Sequence, residues 1–188
     1  MDQIRTYFER FAPVGETDWA FFSSRLRYRK VPRKTALLQA GSVENYLSFL
    51  SEGIVRCLVT REFEETTFAF VFQGEFISGY DSFLTRRPSG YRIETLTNAV
   101  LWQISWEDLQ EVYKHTEVGN AIGRFAGEHL FLEKSKRELS FLTRSAEQRY
   151  RDLFSEKPRL LKEIPLKYLA SYIGITPQAL SRIRRRIT

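Results

Sequence analysis

The chain has 188 residues with 43% hydrophobic and 14% aromatic side chains, and 29 Lys/Arg against 23 Asp/Glu give it a net charge of +6. The single cysteine, Cys57, excludes an internal disulfide and any cysteine-built zinc or iron–sulfur site within one chain. The two histidines, His115 and His129, are too few and too separated for a self-contained zinc site, so no metal and no cofactor is expected.

No apolar run approaches the roughly 18 residues of a membrane span. The opening MDQIRTYFERF is charged and amphipathic, without a signal-peptide core, so a cytoplasmic protein away from membranes is expected. Ile4, Tyr7, Phe8 and Phe11 make a helical stripe over residues 2–12, and residues 17–26 read as a second short helix with Thr17 as N-cap. Residues 25–34 are basic and end near Pro32.

From about 31 to 105 the texture is that of short strands between turns: 36–39, 46–50, 54–60, 64–72, 92–97 and 99–104. Turn signals every 8–12 residues predict a closed or sandwich-like antiparallel barrel, and about eight strands fit, enough to enclose a small ligand. Helix returns at 106–113. Thr116 is placed to cap a long helix running to about 142, along which Val118, Ile122, Phe125, His129, Leu132 and Leu139 follow a heptad-like seam with Lys136 at the missing step. That seam predicts a dimerisation helix; the same stripe also suits packing on the chain's own barrel, and both uses are expected along different parts. Another helix is predicted from 145 to 154, before Pro158.

The strongest signal lies at 166–187. Leu166, Leu169, Ala170 and Ile173 form one apolar helical face, and Gly174 follows where a helix ends in a left-handed residue. Thr176 is an N-cap and Pro177 sits at the first helical position. Ala179, Leu180 and Ile183 then point inward, while Gln178, Ser181, Arg182, Arg184, Arg185 and Arg186 face out. Small residue, glycine and two locking aliphatics at these spacings define a helix-turn-helix. Charge agrees: residues 143–188 hold 11 Lys/Arg and four Asp/Glu, whereas 1–142 hold 18 and 19. All the excess positive charge sits with the helix-turn-helix, the footprint of a polyanion-binding domain joined to a neutral one.

A barrel, a long helix and a C-terminal helix-turn-helix, in that order, resemble the cyclic-AMP receptor/fumarate-nitrate regulator (Crp/Fnr) superfamily of bacterial transcription regulators. Gly41 and Gly53 match its β-roll turns, Gly74, Glu75 and Phe76 look like the start of its phosphate-binding cassette, and residues 102–105 look like its last strand. The string LASYIGITPQALSRIRR looks like the short regulators of the Bacteroidetes type. The resemblance implies an α+β fold: an antiparallel β-roll of the double-stranded β-helix kind with N-terminal helices over 1–114, a dimerisation helix over 115–142, and a DNA-binding domain over 143–188. It further implies a homodimer on a pseudo-palindromic double-stranded DNA site, contact with RNA polymerase, a small-molecule effector in the roll, and no enzymatic activity.

The effector-pocket candidates are Gly74, Glu75, Phe76, Ser89, Gly90 and Tyr91. Cyclic-nucleotide-binding relatives place an Arg-Ser or Arg-Thr pair on the phosphate; here Ser89 and Gly90 fall on that pair, and Arg86, Arg87 and Arg92 lie beside it but not on it. Glu75 matches the acid that bonds the ribose, and without its companion cation the cyclic-nucleotide site looks degenerate. On the DNA side, Gln178 suits adenine and Arg182 guanine, Pro177 and Ser181 complete the reading positions, and Arg184, Arg185, Arg186, Lys167 and Thr176 are candidates for phosphate. The competing reading is a protein-interaction or small-molecule-sensing module with a vestigial roll and weak DNA binding. A metal-dependent barrel enzyme is disfavoured because residues 31–105 contain no histidine.

Overall fold

The computed structural model describes residues 1–62 and 64–187, and of Val118 the backbone alone. The chain divides into two compact units, Met1–Cys57 with Phe70–His129, and Leu58–Ala69 with Leu130–Thr188. In chain order the first unit brings α1 (Asp2–Phe8), α2 (Glu16–Ser23), β1 (Arg27–Val31), β2 (Ala36–Leu38), β3 (Tyr46–Glu52), β4 (Ile54–Arg61), β5 (Glu64–Phe72), β6 (Glu75–Ile77), α3 (Tyr80–Thr85), β7 (Arg92–Thr95), β8 (Ala99–Ser105) and α4 (Trp106–His115). Then come α5 (Glu117–Thr143), α6 (Ala146–Glu156), α7 (Pro158–Glu163), α8 (Leu166–Ile173) and α9 (Pro177–Ile187). The far ends of β4 and β5 and the C-terminal half of α5 belong to the second unit. No described helix is long and apolar enough to cross a membrane.

The strands form two four-stranded sheets, ordered β1-β8-β3-β6 and β2-β7-β4-β5. In the first sheet β8 runs antiparallel to both β1 and β3, with Phe49 opposite Trp102 and Leu50 opposite Leu101. Phe49, Leu50 and Leu101 are fully buried; each such side chain contributes about 1.5–3 kcal/mol through burial. Phe49 packs with Ile4 and Phe8 of α1, Phe22 of α2 and Leu109 and Val112 of α4, which makes one face of this sheet the floor of a largely aromatic core. Gly53 makes the β3–β4 turn at φ 102°; a Cβ there would stand 2.6 Å from the Asn98 carbonyl oxygen.

In the second unit the core is built by Tyr150 and Leu153 of α6, Leu160 of α7, Leu169, Ala170, Tyr172 and Ile173 of α8, and Leu180 and Ile183 of α9, all buried. The Ser145 hydroxyl caps α6 by accepting from the Gln148 amide, while the Gln148 side chain accepts from the Ser145 amide. The β4–β5 tip joins this unit through Ser171. Its hydroxyl accepts from the Thr67 amide at 2.8 Å and donates to the Glu65 carbonyl at 3.2 Å.

Several elements depart from the sequence expectation. α2 starts at Glu16 with Gly15 as N-cap, so Thr17 lies inside it. β1 was hidden in the basic stretch: four of its five residues are exposed, and pairing with β8 rather than strand propensity makes it. β6, α3 and α7 are short segments without a periodic signal. Thr116 holds its expected place, accepting from the Gly119 amide at 3.1 Å at the start of α5.

Candidate nucleic-acid interface

α8 ends at Gly174, whose φ of 78° is left-handed, and the amides of Gly174 and Ile175 return to the carbonyls of Ser171 and Ala170. A Cβ on Gly174 would meet the Phe141 ring at 2.7 Å, so the turn requires glycine for both backbone and space. The Thr176 hydroxyl accepts from the Ala179 amide at 3.2 Å, which fixes its part as the N-cap of α9. Leu180 and Ile183 bury one side of α9. On the opposite side Gln178, Arg182 and Arg185 are exposed at helical spacings of four and three, with half-buried Ser181 between them.

The arginines of α9 differ in their surroundings. Arg186 reaches the Glu147 carboxylate of α6 at 3.2 Å, an ion pair its position in the sequence did not disclose. Arg185 has no such carboxylate partner among the described residues and lies in line with Gln178 and Arg182. Arg184 is exposed, as is Lys167 on α8. Pro177 is half-buried at the start of α9.

The seam along α5 is divided. Ile122 packs against the aromatic core of the first unit, and the Phe125 ring stacks on Phe11 at 5.6 Å between centroids. These two therefore pack within the first unit, and both stay half-exposed. His129 is exposed, and further along Leu132 is 64% and Leu139 59% exposed, joined by Phe131 and Leu142. The Val118 side chain lies outside the described residues.

The effector-pocket candidates lie in two stretches, one around β6 and one leading into β7. Gly74 turns at φ 91° between β5 and β6, and the Glu75 carboxylate folds back to accept from the Phe72 amide at 3.0 Å. Phe76 sits within 5.5 Å of the Tyr7, Phe8 and Phe49 ring centroids, which makes it core rather than lining. Ser89, Gly90 and Tyr91 lead into β7 of the other sheet. There the Ser89 hydroxyl bonds Tyr91 main chain, and the Tyr91 hydroxyl donates to Asp81 at 2.6 Å, with burial first and Asp81 second pushing that phenol far above its usual range.

The polar centre of this region is a residue the sequence did not flag. Glu44 is buried, and its carboxylate accepts from the Gly79 amide at 3.1 Å, at the entry to α3, and from the Tyr46 amide at 3.0 Å. Burial pushes its carboxyl above the ordinary range, against those amides and the Arg86 charge. Arg86 donates to the Glu44 carbonyl and to the Asn45 side chain and lies over the Trp106 ring. A backbone amide of the kind that receives ligand phosphates thus already holds an internal anion. A buried ion pair, Arg56 with Glu94 at 2.9 Å, joins β4 to β7, and Arg92 meets the same carboxylate.

Two four-stranded sheets are followed along the chain by a long helix and a helix-turn-helix. Residues 28–116 match the cyclic nucleotide-binding domain family. The fold is that of the Crp/Fnr regulators. A solved chain described as a Crp/Fnr-family transcriptional regulator from Eubacterium rectale is similar at 17% identity with a TM-score of 0.71, over 97% of this chain and 87% of that one. The c-di-GMP-responsive global regulator CLP of Xanthomonas campestris is similar at 17% identity and TM-score 0.70, over 92% and 91%. FixK2 of Bradyrhizobium japonicum is similar at 13% identity and TM-score 0.72, over 86% and 84%. A comparison with curated protein sequences gives no match.

Proposed function

We propose that the protein is a cytoplasmic, homodimeric transcription regulator that reads a pseudo-palindromic DNA site with α9. One observation carries this: Gln178, Ser181, Arg182 and Arg185 stand together on the solvent side of α9, opposite the buried Leu180 and Ile183. An amide and a guanidinium in this position suit adenine and guanine edges in the major groove. The exposed apolar residues from Phe131 to Leu142 suit pairing with a second copy of α5. Two such heads spaced about 34 Å apart would meet successive turns of one face of the duplex.

The roll is proposed to answer a signal other than a cyclic nucleotide, or none. Supporting this, Arg86 is committed to Glu44 and Asn45, and the Gly79 amide is held by a carboxylate. Contact of a DNA-bound dimer with RNA polymerase belongs to the same proposal. Selection of the effector-free protein against random duplex DNA tests it. An enriched inverted repeat, unchanged by cyclic nucleotides, is expected. Absence of any enriched sequence both with and without cyclic nucleotides would overturn DNA reading, and enrichment that requires a cyclic nucleotide would overturn the view of the roll.

A further inference from the structure

A cleft of about 470 Å³ opens in the second unit between the C-terminal half of α5, α6 and the end of α8. That volume lies within the roughly 300–1,000 Å³ of small-molecule sites. Five cations and three carboxylates line it. The carboxylates are matched one to one: Glu133 with Lys157 at 2.9 Å, Glu156 with Lys136 at 3.0 Å and Asp152 with Arg144 at 2.7 Å. The two cations left over, Arg137 and Arg149, have no carboxylate at ion-pair distance among the described residues.

Both guanidiniums lie against one ring. Arg137 is 4.5 Å and Arg149 4.4 Å from the Phe141 centroid, so they stand within about 9 Å of each other, a span one anion can bridge. Burial holds Arg137 below the usual guanidinium range, with the Tyr172 side chain acting against it and the charge of Arg149 adding a smaller push in the same direction as burial. Leu153 and the Phe141 ring supply its apolar wall.

We propose that this cleft binds a small organic dianion of the phosphate-monoester class, gripped by Arg137 and Arg149. Its position gives it leverage. Arg137 donates to the Tyr172 carbonyl at 3.1 Å, and Arg149 donates to the Ile173 carbonyl at 2.9 Å. These are the last two residues of α8 before the Gly174 turn, where the helix presents its negative end. An anion draws the guanidiniums from those carbonyls and changes how the turn is held. Ligand binding stands on the cleft alone; its effect on DNA affinity rests on the function proposed above.

The test is calorimetric titration of the full chain at fixed ionic strength with inorganic phosphate and adenosine 5′-monophosphate, adenosine serving as the neutral probe. Saturable binding of both anions and none of adenosine is expected. Binding should weaken at least about tenfold in Arg137→Gln and in Arg149→Gln, the scale of one charge-assisted hydrogen bond, and stay unchanged in Lys134→Gln. Circular dichroism establishes that the variants are folded. In the wild type, the arginine side-chain N–H resonances of Arg137 and Arg149 should shift along the same titration, a readout that needs no variant. No saturable binding, equal binding by the glutamine variants, or shifts confined to Ser89–Tyr91 of the roll would overturn the proposal. So would a DNA salt dependence that drops by about one unit in Arg137→Gln, because the cleft would then be a backbone contact. Failure of DNA binding with anion binding intact would instead sink only the function above.

Discussion

Arg186 at the end of α9 is tied to Glu147 at the start of α6, 3.2 Å away, while Arg185 beside it is exposed in line with Gln178 and Arg182. The pair is largely solvent-exposed and contributes at most about 1 kcal/mol to stability. Its consequence is for DNA. Arg185→Ala should weaken binding to all sequences and flatten the salt dependence by about one unit. Arg186→Ala should change that slope by clearly less, since its charge is already shared. Equal slopes measured by titration at several salt concentrations would contradict the distinction.

Arg182 stands one turn on from Gln178 on the same face. Arg182→Ala should cost about 1–3 kcal/mol on the preferred site and little on unrelated DNA, because a bidentate base contact discriminates by that amount. Competition binding with matched and single-mismatch duplexes reads the difference. Uniform loss across sequences would place Arg182 on the backbone instead.

Leu139 is 59% exposed and Ile122 packs on the aromatic core, although both lie on the same helix. Leu139→Glu should shift the protein from dimer to monomer in sedimentation with little change in the thermal stability of the roll. Ile122→Glu should lower the melting temperature, because it places a charge against apolar side chains. A dimer that survives Leu139→Glu together with Leu132→Glu would rule out this face as the interface.

Glu44 gives a pH dependence with a definite sign. Its folded-state pKa lies above the unfolded value of about 4.3. The native state therefore binds the proton more tightly, and stability falls as pH rises from about 4.3 through the folded pKa. Melting temperatures across this range should show the decline, and Glu44→Gln should flatten it. A wild-type slope retained by Glu44→Gln would assign the effect to another group.

The helix-turn-helix was legible in the sequence because everything that makes it is local. Ala170, Gly174, Thr176 and Leu180 lie within eleven residues, and each has one structural part that its side chain dictates. Glu44 was not legible because its partners Gly79 and Ser82 are 35 and 38 positions away, and nothing in its neighbours marks it for burial. The packing of Ile122 and Phe125 within the first unit was not legible, since an apolar period reads the same whether it faces a roll or a second helix. Glu75 and Phe76 were placed together by proximity in the chain, but strand alternation sends neighbouring side chains to opposite faces. One folds back onto its own turn and the other enters the core.

The two hydrogen bonds of Ser171 bear on the order in which the molecule assembles. They join positions 104 and 106 residues apart. Closing a loop of that length costs on the order of 4 kcal/mol in chain entropy, more than two hydrogen bonds of about 1 kcal/mol each return. The hairpin tip therefore docks late, after the intervening strands and α5 have shortened the effective loop, and its amides should be among the first of the second unit to exchange with solvent. The second unit is discontinuous in sequence, and a fragment beginning at residue 130 would carry both helices of the helix-turn-helix but lack the segment that Ser171 holds.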